Sequence, residues 1–334
     1  METRKIVFTA DDFGVTPLID NAIIKAVEKG LIQSVASFSN GKDKNGRFSV
    51  EKAKELKKKY PKIAMGIHFT ITSGDRVCAG AKSLSPKKSG KFTRKANQLS
   101  GKVKEKDITD ELNAQISVFE DAGLDIEHFS DHHGILTYTP LGLQAMLKVV
   151  SEYSAKKNKQ IPLRNPLFYS LSINNPEHPL DKSKMYQLAR PGTVGKNIFR
   201  GEQLHKMKLD LKSIKACEKK IKDSNVPSAD YFVENFWGRP SLKNLVEIIK
   251  GVSYHRNINV IPIDSRKIIS EVVVHLGLRP KNYETDNLYK AELERVRKHR
   301  GISVPYLRDT RVKEYKIIMG YLNEFIHGPE FGSF

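Results

Sequence analysis

The sequence predicts an α/β fold, a parallel sheet wrapped by helices, and three observations carry that prediction. Short β-rich runs alternate with helical patterns along most of the chain, the order that builds a parallel sheet. The first run, Lys5 to Ala10, is apolar on both faces, as a strand covered from both sides must be. Several apolar runs end in Asp or His, at the carboxyl ends where barrel enzymes carry their chemistry. Roughly six to eight strand–helix units over about 300 residues suit a (β/α) barrel. A doubly wound open sheet is the alternative.

The elements follow in order. After the first strand, Ile19, Ala22, Ile23, Ala26 and Val27 recur at helical spacing, and Gly30 stops the helix. Gln33 to Ser39 reads as a strand, Val50 to Tyr60 as a basic amphipathic helix, and Ile63 to Ile71 as the third strand. Glu105 to Ala122 is a helix ended by Gly123, Ile126 to His132 a fourth strand, and Pro140 to Ser154 a helix with proline in its first turn. Further strands are expected at Ile161 to Leu167, Tyr231 to Glu234, Val260 to Ile263 and Val272 to His275. Helices are expected at Leu209 to Ser224, Ser241 to Val252, Asn287 to Arg300 and Val312 to Phe325. The organisation is one domain over 1–327, with insertions near 73–104 and 176–203 and a tail at 328–334. Loops that long in a compact domain are functional or disordered.

Composition bounds the function. The 334 residues are 39% hydrophobic and 28% charged, ordinary for a globular chain. No apolar run is long enough for a membrane span, and the short run after Met1-Glu2-Thr3-Arg4-Lys5 lacks the features of a signal peptide. The expected location is cytoplasmic. Two distant cysteines, Cys78 and Cys217, argue against a disulfide scaffold. The net charge of +19 would attract anionic polymers. The lysines are dispersed and not interleaved with aromatics, so a solvated face and not a nucleic-acid platform is expected. A homodimer is compatible with the sequence, and nothing in it requires one.

The polar side chains at strand ends define the chemistry. Asp11 and Asp12 follow the first apolar run, and Phe13-Gly14 turns the chain away. Adjacent residues on a strand point to opposite faces, so one carboxylate would bind a metal and the other handle a proton. A helix cap or Asx-turn is the structural alternative. In the third strand Ala64, Gly66, His68 and Thr70 share a small face, which leaves His68 room for an ion or substrate; a buried core histidine is the alternative. The fourth strand ends Ser130-Asp131-His132-His133-Gly134, and alternation turns one of the two histidines away, leaving open which. His275 closes the apolar run Val272-Val273-Val274. An Asp and two His from three strands make a three-point metal site with open positions. Such a metal acidifies water and polarises a carbonyl, and Asp11 and His275 are candidates for general base and acid.

Thr9-Ala10-Asp11-Asp12-Phe13-Gly14, Gly66-Ile67-His68-Phe69-Thr70-Ile71 and Asp131-His132-His133, in this order, resemble the YdjC-like carbohydrate deacetylase family, best known for chitooligosaccharide deacetylases. Glu111 and Gln115, the Arg of Ile161-Pro162-Leu163-Arg164-Asn165-Pro166, and Glu271-Val272-Val273-Val274-His275-Leu276-Gly277 extend the likeness. It covers the chain from Lys5 to about Arg300. The resemblance implies a distorted (β/α) TIM-like barrel that removes N-acetyl groups from acetylated sugars. It implies metal ligation by Asp12, His68 and His132, Asp11 as base, His275 as acid, and Arg164 orienting a carboxylate, Asp11 first. The ungapped register favours His132 over His133. The sequence departs from the family where Ser130 stands in place of an Asp and Leu276 in place of a Pro.

The expected function is therefore metal-dependent hydrolysis of N-acetylated amino sugars or oligosaccharides. The family suggests one Mg2+ or Zn2+ ion, and the donor set favours zinc or another transition ion. The rival readings are a catalytically silent barrel that binds an anionic polymer and a metal-dependent phosphoester hydrolase.

Overall fold

The structure, a computed structural model, describes residues 5–41, 50–85, 90–92, 103–164, parts of 216–233 and 240–246, 252–255, 258–262, 269–300 and 304–320. Its strands are β1 (Lys5–Phe13), β2 (Ser34–Ser37), β3 (Ala64–Phe69), β4 (Phe129–Asp131), β5 (Tyr231–Val233), β6 (Val252–His255), β7 (Ile258–Pro262) and β8 (Ile269–Val274). Its main helices are α1 (Pro17–Glu28), α2 (Val50–Lys59), α3 (Glu105–Asp121), α4 (Pro140–Lys156), α5 (Asn287–Arg300) and α6 (Arg311–Gly320).

Six strands make one sheet in the order β4-β3-β2-β1-β8-β5, with every pair parallel. The last strand thus lies beside the first, and Asp11 follows β1 pairing that sets Ala10 opposite Val274. β4 and β5 do not pair with each other. Between them lies the segment Pro162 to Arg164: Phe129 N–H donates to Pro162 O at 2.8 Å, Arg164 N–H to Phe129 O at 2.7 Å, and Leu163 N–H to Pro227 O at 2.8 Å.

Local sequence explains the elements. Pro17 opens α1, whose buried stripe is Ile19, Ala22, Ile23, Ala26 and Val27. The helix ends at Gly30, whose φ of +73° only glycine adopts without strain. Thr139 caps α4 by accepting the Gly142 N–H at 3.2 Å. α3 carries Glu111 and Gln115 one turn apart within its otherwise apolar buried stripe, and both are used. Gln115 receives the Thr70 N–H and donates to Thr70 O. Glu111 receives the N–H groups of Val77 and Cys78. These bonds fix the loop that follows β3.

Some expectations change. The expected strand Val260 to Ile263 is found through Pro262 as part of β7, which pairs antiparallel with β6 in a separate two-stranded sheet and does not join the parallel one. Val252, expected at a helix end, opens β6. The described part of the expected strand Ile161 to Leu167 forms only an isolated parallel bridge, Phe129 to Leu163, because Pro162 has no N–H to extend a ladder. The described part of the 73–104 insertion folds onto itself through the Asp75–Lys91 bridge. The 176–203 insertion, the 328–334 tail, and much of the expected helices at 209–224 and 241–252 lie outside the described residues. Among the described residues, no helix is long and apolar enough to cross a membrane.

Candidate metal centre

The carboxyl ends of β1, β3, β4 and β8, with the segment Pro162 to Arg164 beside β4, bring Asp11, Asp12, His68, His132, Arg164 and His275 together. The strand-alternation argument for Asp11 and Asp12 does not survive. β1 is irregular between Ala10 and Phe13 in its pairing with β2, and Asp12 adopts φ +69°. That left-handed backbone is costly for a non-glycine residue and recurs at functional sites. It turns both carboxylates to one side: His68 Nε2 lies 3.8 Å from Asp11 Oδ2 and 3.6 Å from Asp12 Oδ1. Nor does the pair cap α1. The Gly14 N–H is taken by Asp20 at 2.8 Å.

Asp12, His68 and His132 are buried, and each offers one ligand atom within 4.8 Å of the others. Asp12 Oδ1 is 3.2 Å from His132 Nδ1. Metal–donor bonds of about 2.0–2.1 Å in tetrahedral geometry place donors about 3.3 Å apart, so this spacing fits an ion. Asp12 Oδ1, though buried, has no hydrogen-bond partner among the described residues, the condition of a group whose partner is a ligand. His133 is displaced from this cluster. Its φ of +69° directs its Nδ1 to Thr72 Oγ1 at 3.1 Å. Asp131 is used locally, accepting from Leu136 N–H and from Thr137.

The surroundings prepare these donors. His68 Nδ1 bonds Ser130 Oγ at 2.7 Å, and Ser130 Oγ donates to Ile67 O at 3.4 Å. Ser130 therefore accepts from His68, leaving Nε2 with its lone pair toward the site. Burial lowers His68 to about 4, against an opposing pull from Asp11. A neutral imidazole is the ligating form. Phe38 stands edge-on to His68 and His132, with ring centroids at 5.2 and 4.9 Å, and forms an apolar wall.

Asp11 sits in a buried ion-pair network. Arg164 Nη1 and Nη2 donate to its two oxygens at 2.7 and 2.8 Å, and Arg164 Nε donates to Glu271 at 2.8 Å. Burial pushes the Asp11 carboxyl up, but Arg164, then His68 and His275, hold it at about 2. His275 Nε2 lies 3.9 Å from Asp11 Oδ2. Burial and then the Arg311 charge lower His275 to about 3, so it is neutral at rest. Asp12 is held well below the usual carboxylate range by Arg311 and His132, against burial.

Three side chains of this site were not singled out as site residues in the sequence: Phe38, Glu271 and Arg311. Glu271 had a signal, since it shares strand parity with His275 and is an acid inside an apolar run. Arg311 had none; it reaches Asp12 across 299 positions.

With this geometry in hand, a model of the family described as YdjC-like protein matches residues 5–320. The chain belongs to the YdjC-like family. Within it, the chain is 32% identical over 152 residues to a carbohydrate deacetylase of Listeria monocytogenes serotype 4b, covering 45% of this chain and 58% of that protein. It is 31% identical over 165 residues to a carbohydrate deacetylase of Brevibacillus brevis, covering 49% and 60%. The chain thus matches less than two thirds of the length of these relatives. A solved structure from Enterococcus faecalis V583, named for cellobiose-phosphate cleavage, has the same fold, with a TM-score of 0.58 at 18% identity over 95% of this chain and 90% of that one.

Proposed function

We propose that this chain is a metal-dependent carbohydrate N-deacetylase acting on acetylated amino sugars or their oligomers. The observation that carries the reading is the juxtaposition of a three-donor cluster, Asp12, His68 and His132, with a carboxylate, Asp11, that Arg164 keeps ionised beside it. The relatives named carbohydrate deacetylases support the substrate class. One carboxylate and two imidazoles suit Zn2+ or another transition ion better than Mg2+.

A divalent ion at Asp12, His68 and His132 would supply Lewis acidity to a water and to the acetamide carbonyl. Asp11 takes the proton of the attacking water. Arg164 fixes both Asp11 oxygens, so the base is oriented before substrate arrives. His275 is neutral at rest and 3.9 Å from Asp11, so it receives that proton before giving it to the leaving amine. Phe38 keeps water from the far side of the histidines.

The backbone bonds from Phe129 through Leu163 to Pro227 support reading the sheet as a distorted (β/α) barrel. On that reading residues 1–327 make a single domain.

The test is acetate release from N-acetylated chitooligosaccharides, with and without chelator. Release is expected only with metal, and Asp11→Asn is expected to lower it about 10²- to 10⁴-fold at unchanged metal content. No release from any acetylated sugar, or full release by Asp11→Asn, refutes the reading.

A further inference from the structure

Among the described residues Arg311 heads the fully buried side chains by volume, and Nη2 of its guanidinium binds Asp12 Oδ2. The fold makes room for it. A Cβ at Gly277 would lie 3.0 Å from Arg311 Cβ. The residues before it, Tyr306–Thr310, form a π-helical turn, a local widening that recurs at functional sites. The Arg311 guanidinium carbon lies 5.0 Å from the Tyr306 ring centroid. One turn on, Glu314 accepts the His275 N–H at 2.6 Å, so α6 is clamped to the end of β8. Yet Arg311 Nε and Nη1 are buried without a hydrogen-bond partner among the described residues. Packing for stability alone would satisfy or remove such donors.

We infer that Arg311 is a positioning residue that confines Asp12 to one ligand oxygen and so sets which ions the centre prefers. This rests on the metal site proposed above. Oδ2 is taken by the guanidinium. Oδ1 faces His68 Nε2 at 3.6 Å and His132 Nδ1 at 3.2 Å. A carboxylate held this way gives one bond and no chelate. One oxygen and two imidazoles satisfy ions content with few ligands, such as zinc and cobalt. Magnesium and calcium need more oxygen ligands than that. The guanidinium also cancels the charge of Asp12, which weakens the attraction that hard ions depend on.

The experiment strips wild type and Arg311→Met with chelator, loads both with Co2+, records the visible absorption, and titrates Zn2+ against Mg2+. Wild type is expected to give the intense bands of four- or five-coordinate cobalt. In Arg311→Met the freed Oδ2 raises the coordination number. The bands are then expected to weaken at least about threefold, and the preference for zinc over magnesium to fall about tenfold. Arg311→Lys, which keeps the charge, is expected to stay nearer wild type. A loss of activity through packing alone would move neither readout. Identical spectra and preferences in Arg311→Met overturn the inference. A weak six-coordinate spectrum in wild type does so too, even if Arg311→Met fails to fold. A wild type that takes up no cobalt overturns the metal site itself, a distinguishable result.

Discussion

Replacing Arg164 by Met keeps an unbranched apolar stem and removes every donor that organises Asp11. Arg164 spends three charge-assisted hydrogen bonds on two carboxylates, Asp11 at 2.7 and 2.8 Å and Glu271 at 2.8 Å. Both acids are buried, Asp11 at 3% exposure and Glu271 at 1%. Breaking a buried pair by removing one partner costs about 3–5 kcal/mol, because the charge left behind has neither water nor countercharge. That is a large part of the roughly 5–15 kcal/mol stability of a typical domain. The loss should depend on pH. In wild type the Asp11 carboxyl lies at about 2, below its ordinary 3.8. Its contribution is therefore present above 3.8, is lost only as pH falls through about 2, and is flat between pH 5 and 8. In Arg164→Met burial acts unopposed by the guanidinium and raises the carboxyl. Its contribution then holds at low pH and is lost as pH rises, by up to about 1.4 kcal/mol per pH unit. Urea unfolding of chelator-treated protein, followed by circular dichroism at pH 5 and pH 8, measures both effects. A deficit below about 1 kcal/mol at pH 8, or one no larger at pH 8 than at pH 5, would refute this account of the pair.

Substitutions at three other positions probe the same region. Gly66→Ala places a Cβ 2.3 Å from ring atoms of His128, which is tied to Ser34 at 2.8 Å; thermal melting should register a loss of about 1–3 kcal/mol, and an unchanged melting temperature would contradict the packing. Burial, then Arg164, lowers His128 to about 3 from its ordinary 6.5, so its contribution to stability is lost as pH falls from 6.5 through about 3. His128→Gln should therefore flatten the pH dependence of the urea midpoint between pH 6.5 and 4.5 by up to about 1.4 kcal/mol per unit, and an equal slope would count against it. Ser130→Ala removes the acceptor of His68 Nδ1 and should weaken metal binding about 10- to 100-fold by calorimetry, while Ser130→Asp should strengthen it; unchanged affinity in both would show that Ser130 does not orient the ligand.

The parts of this molecule legible in the sequence are those fixed by neighbours along the chain. Alternation of apolar runs and helical stripes placed β1 to β4, α1 to α4 and α5 within a few residues, because periodicity is a local property. The cluster at strand ends was legible for the same reason: polar side chains closing apolar runs have few structural uses. What escaped was set by tertiary contact. The irregularity in β1 that turns Asp11 and Asp12 to one side depends on its pairing with β2, and no alternation rule anticipates a left-handed Asp12. The choice of β6 as the partner of β7 and the reach of Arg311 to Asp12 are likewise decided in three dimensions.

Two adjacent carboxylates in a dry site repel, and ordinarily one of them takes a proton to relieve the strain. The proposed chemistry needs both ionised, Asp11 to accept a proton and Asp12 to hold an ion. The chain meets this with two guanidiniums from distant segments, Arg164 on Asp11 and Arg311 on Asp12. They act differently. Arg164 binds both oxygens of Asp11 and shares itself with Glu271, which orients a base without consuming all its lone pairs. Arg311 takes one oxygen of Asp12 and leaves the other facing the imidazoles. On the proposed chemistry, a pair of identical side chains, next to one another in sequence, is divided into base and ligand by which guanidinium each one meets.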